Sequence, residues 1–161
     1  MQHWEAGRIL GGKYRLVRQL GQGGMGSVWH AEHLTLSSPV ALKLIEPGTA
    51  EDPAALQRFL REARTAAALR SPHVVQILDY GVDDDTPYIA MELLEGESLS
   101  ERLRRLGQLS LAETARVIQH MARAIGRAHE AGIVHRDLKP ENVFIVKNDD
   151  GRSSRCSTSA S

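Results

Sequence analysis

The chain has 161 residues, 42% hydrophobic and 25% charged, which is ordinary material for one globular domain with a real core. Lysine plus arginine and aspartate plus glutamate number 20 each, so no global field recruits nucleic acid or an anionic membrane, and neither is expected as a partner. A single Cys156 excludes an internal disulfide and a cysteine metal cluster, no apolar run has the length of a membrane span, and Met1-Gln2-His3-Trp4-Glu5 is unlike a secretory leader, so a cytoplasmic setting is expected.

Residues 1–12 form an N-terminal extension to the first patterned stretch, Tyr14 to Leu20, whose alternation predicts a strand. Leu20-Gly21-Gln22-Gly23-Gly24-Met25-Gly26-Ser27-Val28-Trp29 then packs four glycines into ten residues. A loop built on Gly21, Gly23 and Gly26 has few side chains to hold its backbone off a ligand, so its N–H groups can approach phosphate oxygens closely. A flexible hairpin tip would use glycine equally well, and a lone G-x-G-x-x-G does not separate the two. Context narrows the choice. Ser27 to Glu32 reads as a second strand, whereas a dinucleotide-binding fingerprint needs a helix there. Gly26 is followed by Ser27-Val28, whereas a Walker A loop needs Lys and Ser or Thr. What remains is a strand-loop-strand flap suited to covering a nucleotide's phosphates.

Val40 to Ile45 predicts a third strand carrying Lys43, which lies 22 residues after Gly21 (43 − 21). Asp52-Pro53 then caps a helix expected to run to about Arg70, before Ser71-Pro72. On it, Phe59, Glu62, Ala66 and Leu69 share a face and place a carboxylate within an apolar stripe. A carboxylate buried there needs a cation, and Lys43 explains its position better than a surface pair with Arg58. Val74 to Tyr80 and Tyr88 to Leu93 read as two more strands, with Asp79-Tyr80-Gly81 as the turn ending the first rather than a metal ligand.

Beyond Gly96 the pattern turns helical. Ser98-x-x-Glu101 and Ser110-x-x-Glu113 read as capping boxes, and Leu111, Ala115, Ile118, Ala122, Ile125 and Ala128 keep helical spacing until Gly132. Val143 to Val146 predicts a short strand and Asn148-Asp149-Asp150-Gly151 its hairpin turn. Residues 152–161 form a serine-rich tail with too little apolar surface to offset the entropy of ordering, and are expected to be disordered.

Ile133-Val134-His135-Arg136-Asp137-Leu138-Lys139-Pro140-Glu141-Asn142 resembles the catalytic loop of protein kinases, H-R-D-x-x-x-x-N. With Gly21-x-Gly23-x-x-Gly26-x-Val28, Val40-Ala41-Leu42-Lys43 and Glu62 in the same order, the chain from about Tyr14 to Asp150 resembles a eukaryotic-type protein kinase. The Gly23-Gly24-Met25-Gly26 wording is similar to bacterial serine/threonine kinases, and Lys139-Pro140-Glu141 to the serine/threonine rather than the tyrosine branch. The resemblance implies an α+β protein-kinase-like fold with a strand-rich N-lobe over 13–94, a hinge at 92–96 and, over 97–151, only the first helices and catalytic loop of the helical C-lobe.

It also implies ATP and magnesium as cofactors and protein serine or threonine as substrate. The backbone from Leu20 through Gly21, Gln22, Gly23, Gly24, Met25, Gly26 and Ser27 to Val28 would cover the phosphates, Lys43 would hold them and Glu62 would orient Lys43. Asp137 would accept the substrate hydroxyl proton, Lys139 would sit by the transferred phosphoryl group and Asn142 would bind magnesium. Met91 would act as gatekeeper, the backbone of Glu92 and Leu94 would face adenine, and Val28, Ala41 and Phe144 would pack around the base.

One part of the pattern does not appear. A return strand bearing Asp-Phe-Gly, whose aspartate holds magnesium, should follow the 148–151 turn, and Arg152 to Ser161 contains no acid. The activity of this chain is therefore expected to be lost or much weakened, and the alternative to a working kinase is a catalytically silent ATP-binding or interaction fragment. The broad apolar stripe of Leu111 to His129 is expected to leave an exposed surface through which copies associate.

Overall fold

Tyr14 and Leu16 are buried while Arg15 between them is exposed, and this alternation organises the first part of the chain into a sheet. The computed structural model describes residues 4–23, 26–45, 52–135 and 137–147, together with the backbone of 153–156. These residues fall into two compact units, one made of 1–67 and 77–93, the other of 68–76 and 94–161.

The first unit is built on six antiparallel strands: β1 (Ile9–Leu10), β2 (Tyr14–Gly23), β3 (Gly26–His33), β4 (Ser38–Ile45), β5 (Ile77–Asp83) and β6 (Thr86–Glu92), in the order β1-β2-β3-β4-β6-β5. One face is the core. Leu10, Tyr14, Leu16, Trp29, Ala31, Val40, Leu42, Leu44, Tyr88 and Ala90 pack there, and Trp4 covers its margin. The predicted strands are all present, except that β5 begins at Ile77 rather than Val74, and β2, β3 and β4 run past their alternating cores because main-chain pairing continues beyond the last apolar residue; β2 and β3 stay paired out to Gly23 and Gly26.

Helix α1 (Pro53–Ala67) starts where the sequence places it, with the Asp52 carboxylate accepting from the Ala54 N–H at 2.9 Å, and packs against β5. It stops at Ala67, short of the expected Arg70. Leu69 is therefore not on its stripe and packs with Val74, Ala124 and Ala128 in the second unit. Asp79-Tyr80-Gly81 also departs from expectation, because it is not a turn but the middle of β5. A register shift between Ile77 and Asp79 marks a bulge, and the Asp79 carboxylate accepts from Lys13 Nζ (3.0 Å), the Tyr14 hydroxyl (2.9 Å) and the Tyr80 N–H (2.9 Å). Three donors satisfy an acid that would otherwise disfavour a strand. The turn lies further on, at Asp84 and Asp85, both with positive φ (43° and 61°).

In the second unit β7 (Gly96–Ser98), β8 (Val143–Val146) and β9 (Ser153–Cys156) form an antiparallel sheet ordered β7-β8-β9, joined by α2 (Leu99–Leu106), α3 (Leu111–Glu130) and a 3-10 turn over Pro140–Asn142. Both capping boxes form as expected, with Ser98 and Glu101 on α2 and Ser110 and Glu113 on α3 exchanging side-chain and backbone hydrogen bonds. Val117, Val143 and Ile145 make a small core with Leu99, Leu109 and Met121 around it. Arg102, 4% exposed, bridges the carboxylates of Glu97 (2.8 Å) and Glu113 (2.6 Å), so the start of α3 is tied to α2 through a buried guanidinium.

The expectation of a disordered tail over 152–161 is corrected at 153–156. Ser153 to Cys156 pair with Val146 to Val143, because β8 offers an edge whose N–H and C=O groups accept any backbone, whatever its side chains. Residues 157–161 and the predicted turn at 148–151 lie outside the described residues.

Candidate active site

Strand register decides which side chains of the first unit can meet a ligand. Lys43 stands opposite Val28 on one side and Ile89 on the other, and Ala41 stands opposite His30 and Met91. Directly opposed residues share a face, as do residues two apart, so Val28, Ala41, Lys43 and Met91 lie together on the face away from the Trp29–Leu42–Ala90 core. Lys43 is half-buried there among buried neighbours.

The glycine hairpin leads onto this face. Gly21 pairs with Val28, Gln22 with Ser27 and Gly23 with Gly26, while Leu20, Gly21, Gln22 and Gly23 are exposed. Gly26 has a φ of +127°, and a Cβ there would lie 1.9 Å from the Leu44 carbonyl oxygen, so only glycine lets β3 run this close to β4. A Cβ at Gly21 or Gly23 would meet nothing within 4 Å, which leaves their backbone open to a ligand. Ser27 behaves differently from a ligand-facing serine: it is buried on the core side and accepts from the Trp29 indole N–H at 3.0 Å, so only its backbone is available to a phosphate. Gly24 and Met25 lie outside the described residues.

Glu62 sits in α1, half-buried, beside a buried stripe of Phe59, Ala63 and Ala66 rather than within it. Met91 and Glu92 end β6 in the first unit, and Leu94 opens the last stretch of the second.

The second unit holds a tight polar constellation. Asp137 Oδ2 accepts from Lys139 Nζ at 2.9 Å and from Asn142 Nδ2 at 3.0 Å, while the same Nδ2 reaches the Asp137 carbonyl at 2.8 Å. The backbone holds these side chains in place. The Asp137 N–H donates to the His135 carbonyl at 2.7 Å, and Pro140 opens a 3-10 turn closed by the Asn142 N–H on the Lys139 carbonyl at 2.9 Å. The Lys139 hydrogen bond, followed by the Asn142 one and the charges of Lys139 and His135, holds the Asp137 carboxyl below its ordinary 3.8 despite opposing desolvation, so it is ionised at neutral pH. Arg136 lies outside the described residues. Phe144 alternates with the buried Val143 and Ile145, which puts it on the opposite face of β8 from their core.

Sequence reasoning missed the tie between this loop and α2, where Ser100 Oγ donates to Glu141 Oε1 at 3.3 Å. The two residues are 41 apart in the chain, and no local pattern announces the pair. It also missed the direct Asp137–Lys139 ion pair, whose i, i+2 spacing is visible but whose turn geometry is not.

Among the described residues no three His, Cys, Asp or Glu side chains group as a metal site. Asn142 brings an amide oxygen of the kind magnesium takes, and magnesium commonly adds one or two carboxylates and the substrate's own phosphates. Among the described residues the donor set matches that demand in part, with the Asp137 carboxylate the acid nearest to Asn142.

A family model described as a protein kinase domain matches residues 14–153. The chain is 43% identical over 138 residues to serine/threonine-protein kinase PknH of Mycobacterium bovis and 42% identical over 145 residues to PknA of Mycobacterium tuberculosis. These matches take in 86% and 87% of this chain but 23% and 34% of the relatives, so it spans about a quarter to a third of their length. The solved kinase domain of Mycobacterium tuberculosis PknI superposes with a TM-score of 0.85 at 30% identity, covering 97% of this chain and 62% of that one. With the glycine hairpin, the strand lysine and the Asp137–Asn142 loop in place, the chain belongs to the protein kinase family, in its bacterial serine/threonine branch.

Proposed function

We propose that this chain carries the nucleotide-binding and proton-accepting parts of a protein serine/threonine kinase, which moves the terminal phosphoryl group of ATP to a hydroxyl of a protein. The observation that carries the reading is the Asp137–Lys139–Asn142 constellation, in which two donors converge on one carboxylate oxygen. They fix the carboxylate's orientation and keep it ionised, so Oδ1 is the atom that would take the proton of an incoming serine or threonine. Lys139, already at hydrogen-bond distance from Asp137, would carry its positive charge to the phosphoryl group in transfer.

In the first unit the backbone of Leu20 to Val28 would lie over the phosphates and Lys43 would hold them, with Glu62 orienting Lys43. Val28, Ala41 and Met91 share the Lys43 face, which supports their assignment to the adenine, together with Phe144 and the backbone of Glu92 and Leu94 in a hinge over 92–96. Magnesium, bound by Asn142 and the ATP phosphates, would supply charge neutralisation. No helix among the described residues is long and apolar enough to cross a membrane, and a cytoplasmic location is proposed.

One observation favours a second reading. Residues 152–161 contain no aspartate or glutamate, so the carboxylate that accompanies Asn142 on magnesium in the family pattern is missing from them. Loss of a main metal ligand removes transition-state stabilisation on the order of 4 kcal/mol, about a thousandfold in rate. On this reading the chain binds ATP and does not turn it over.

A radiometric assay with magnesium-ATP and a generic basic protein tests both. Transfer that falls by about 10² to 10⁴ in Asp137→Asn supports the kinase reading. Binding of a fluorescent ATP analogue that is lost in Lys43→Met, without any transfer, supports the silent one.

A further inference from the structure

Helix α3 carries a row of basic side chains outside the catalytic constellation. Arg116, His120, Arg123 and Arg127 recur at spacings of 4, 3 and 4 residues and share one helix face, beside the buried row of Val117, Ala124 and Ala128. The segment 68–76 of the same unit meets this face. The His73 ring stacks on His120 with centroids 4.5 Å apart and planes at 25°, and Arg70, Ser71 and His73 line an open cavity of about 550 Å³ with Arg123, Arg127 and Glu130.

Charge in and beside this cavity is one-sided. Three guanidinium groups and two imidazoles stand against the single carboxylate of Glu130, which Arg127 already engages at 2.8 Å. Burial, then His73, Arg123 and Arg116, hold His120 below its ordinary 6.5, so proton uptake there is opposed by its neighbours. His73 Nδ1 is buried and has no hydrogen-bond partner, a costly state for a ring nitrogen. An anion near these groups eases proton uptake at His120, while the net charge of the whole chain, zero, says nothing of it.

We propose that this cavity binds the phosphate monoester of a phosphoserine or phosphothreonine side chain presented on a peptide. Guanidinium forks match phosphate oxygens in pairs, and arginine clusters are the common device for phosphorylated side chains. The cavity is far roomier than a bare phosphate needs and lies within the range of small-ligand sites, so it admits the carrier residue as well. Its lining contains no Phe, Tyr or Trp on which bases could stack and no large aliphatic side chain to enter a bilayer, which argues against single-stranded nucleic acid and lipid.

The test titrates the full chain with an otherwise neutral peptide carrying one phosphoserine, and with the same peptide carrying serine. The phosphorylated form is expected to bind about tenfold or more tightly, and Arg123→Gln combined with Arg127→Gln to lower its affinity by about tenfold or more, because each lost arginine removes charge-assisted hydrogen bonds. Arg104→Gln, on α2 and outside the cavity, and Asp137→Asn are expected to bind as the parent does, which keeps this result separate from the outcome of the kinase assay. Inorganic phosphate should compete with the peptide. Imidazole NMR supplies a second readout: on saturation with phosphopeptide, His120 should titrate at higher pH. If the double variant unfolds, Arg70→Gln, which lies outside α3, replaces it. Equal binding of the two peptides, a His120 titration unmoved at saturation, or selective capture by anionic vesicles or single-stranded DNA would overturn the proposal.

Discussion

Gly23 and Gly26 face each other across the hairpin, yet only one of them is sterically required. Gly26→Ala would drive a Cβ into the Leu44 carbonyl at a positive φ, and is expected to cost about 2 kcal/mol or more. Gly23→Ala meets open space and should leave the melting temperature nearly unchanged, so thermal unfolding of the two variants checks the claim. At Asp137 the controlling neighbour is Lys139. Lys139→Met removes the hydrogen bond that does most to keep the carboxyl acidic, and Asp137 should then titrate at higher pH, toward 3.8. Carbon-detected NMR of the aspartate side chains reads this directly, and an unmoved Asp137 would refute it.

At the scale of elements, the start of α3 is the joint most exposed to test. Ser110→Ala removes one half of a capping box and should lower stability by about 1 kcal/mol. Glu113→Ala should cost more than Ser110→Ala, because Glu113 also receives the buried Arg102 guanidinium and its loss leaves that charge with Glu97 alone among its two acids. Denaturant titrations of both variants rank them, and equal losses would show that the Arg102 bridge adds nothing beyond the cap.

For the whole molecule, acid is the predicted weakness. Asp79, Glu97, Glu113 and Asp137 all have lowered pKa values, from hydrogen bonds with Lys13 and Tyr14 that overcome burial at Asp79, with Arg105 at Glu97, with Ser110 at Glu113 and with Lys139 at Asp137. A carboxyl whose folded value is depressed contributes stability that is fully present above its ordinary value, here 3.8 or 4.5, and lost as pH falls through the folded value. Stability should therefore be flat in this respect near neutrality and decline below about pH 4.5, as melts across that range would show. Self-association is the second expectation at this scale. Leu111 (90% exposed) and Ile118 (59%) lie two helical turns apart on α3 and present apolar surface to water. Sedimentation velocity should show association rising with concentration and weakening in Leu111→Glu combined with Ile118→Glu; a monomer at all concentrations would count against it.

Much of the fold was legible because its signals are local. Period-two alternation marked β2, β3, β4 and β6, the Ser-x-x-Glu boxes marked α2 and α3, and Asp52-Pro53 marked α1. The loop that brings Asp137, Lys139 and Asn142 together was legible as residue types at fixed spacing, while their distances were not. What the sequence by itself determined, then, was the kind of element at most positions and the residue types that the loops carry. Tertiary structure decided where paired backbones and distant partners override local preference. Asp79 sits in a strand because Lys13 and Tyr14, more than 60 residues away, satisfy it. Leu69 leaves the helix stripe because Val74, Ala124 and Ala128 offer it a core. Ser153 to Cys156 form a strand because β8 has an edge to pair with. The basic row on α3 can be counted in the sequence, but only folding sets Arg70 and His73 against it, since a cavity depends on contacts between segments and spacing along one segment cannot specify them.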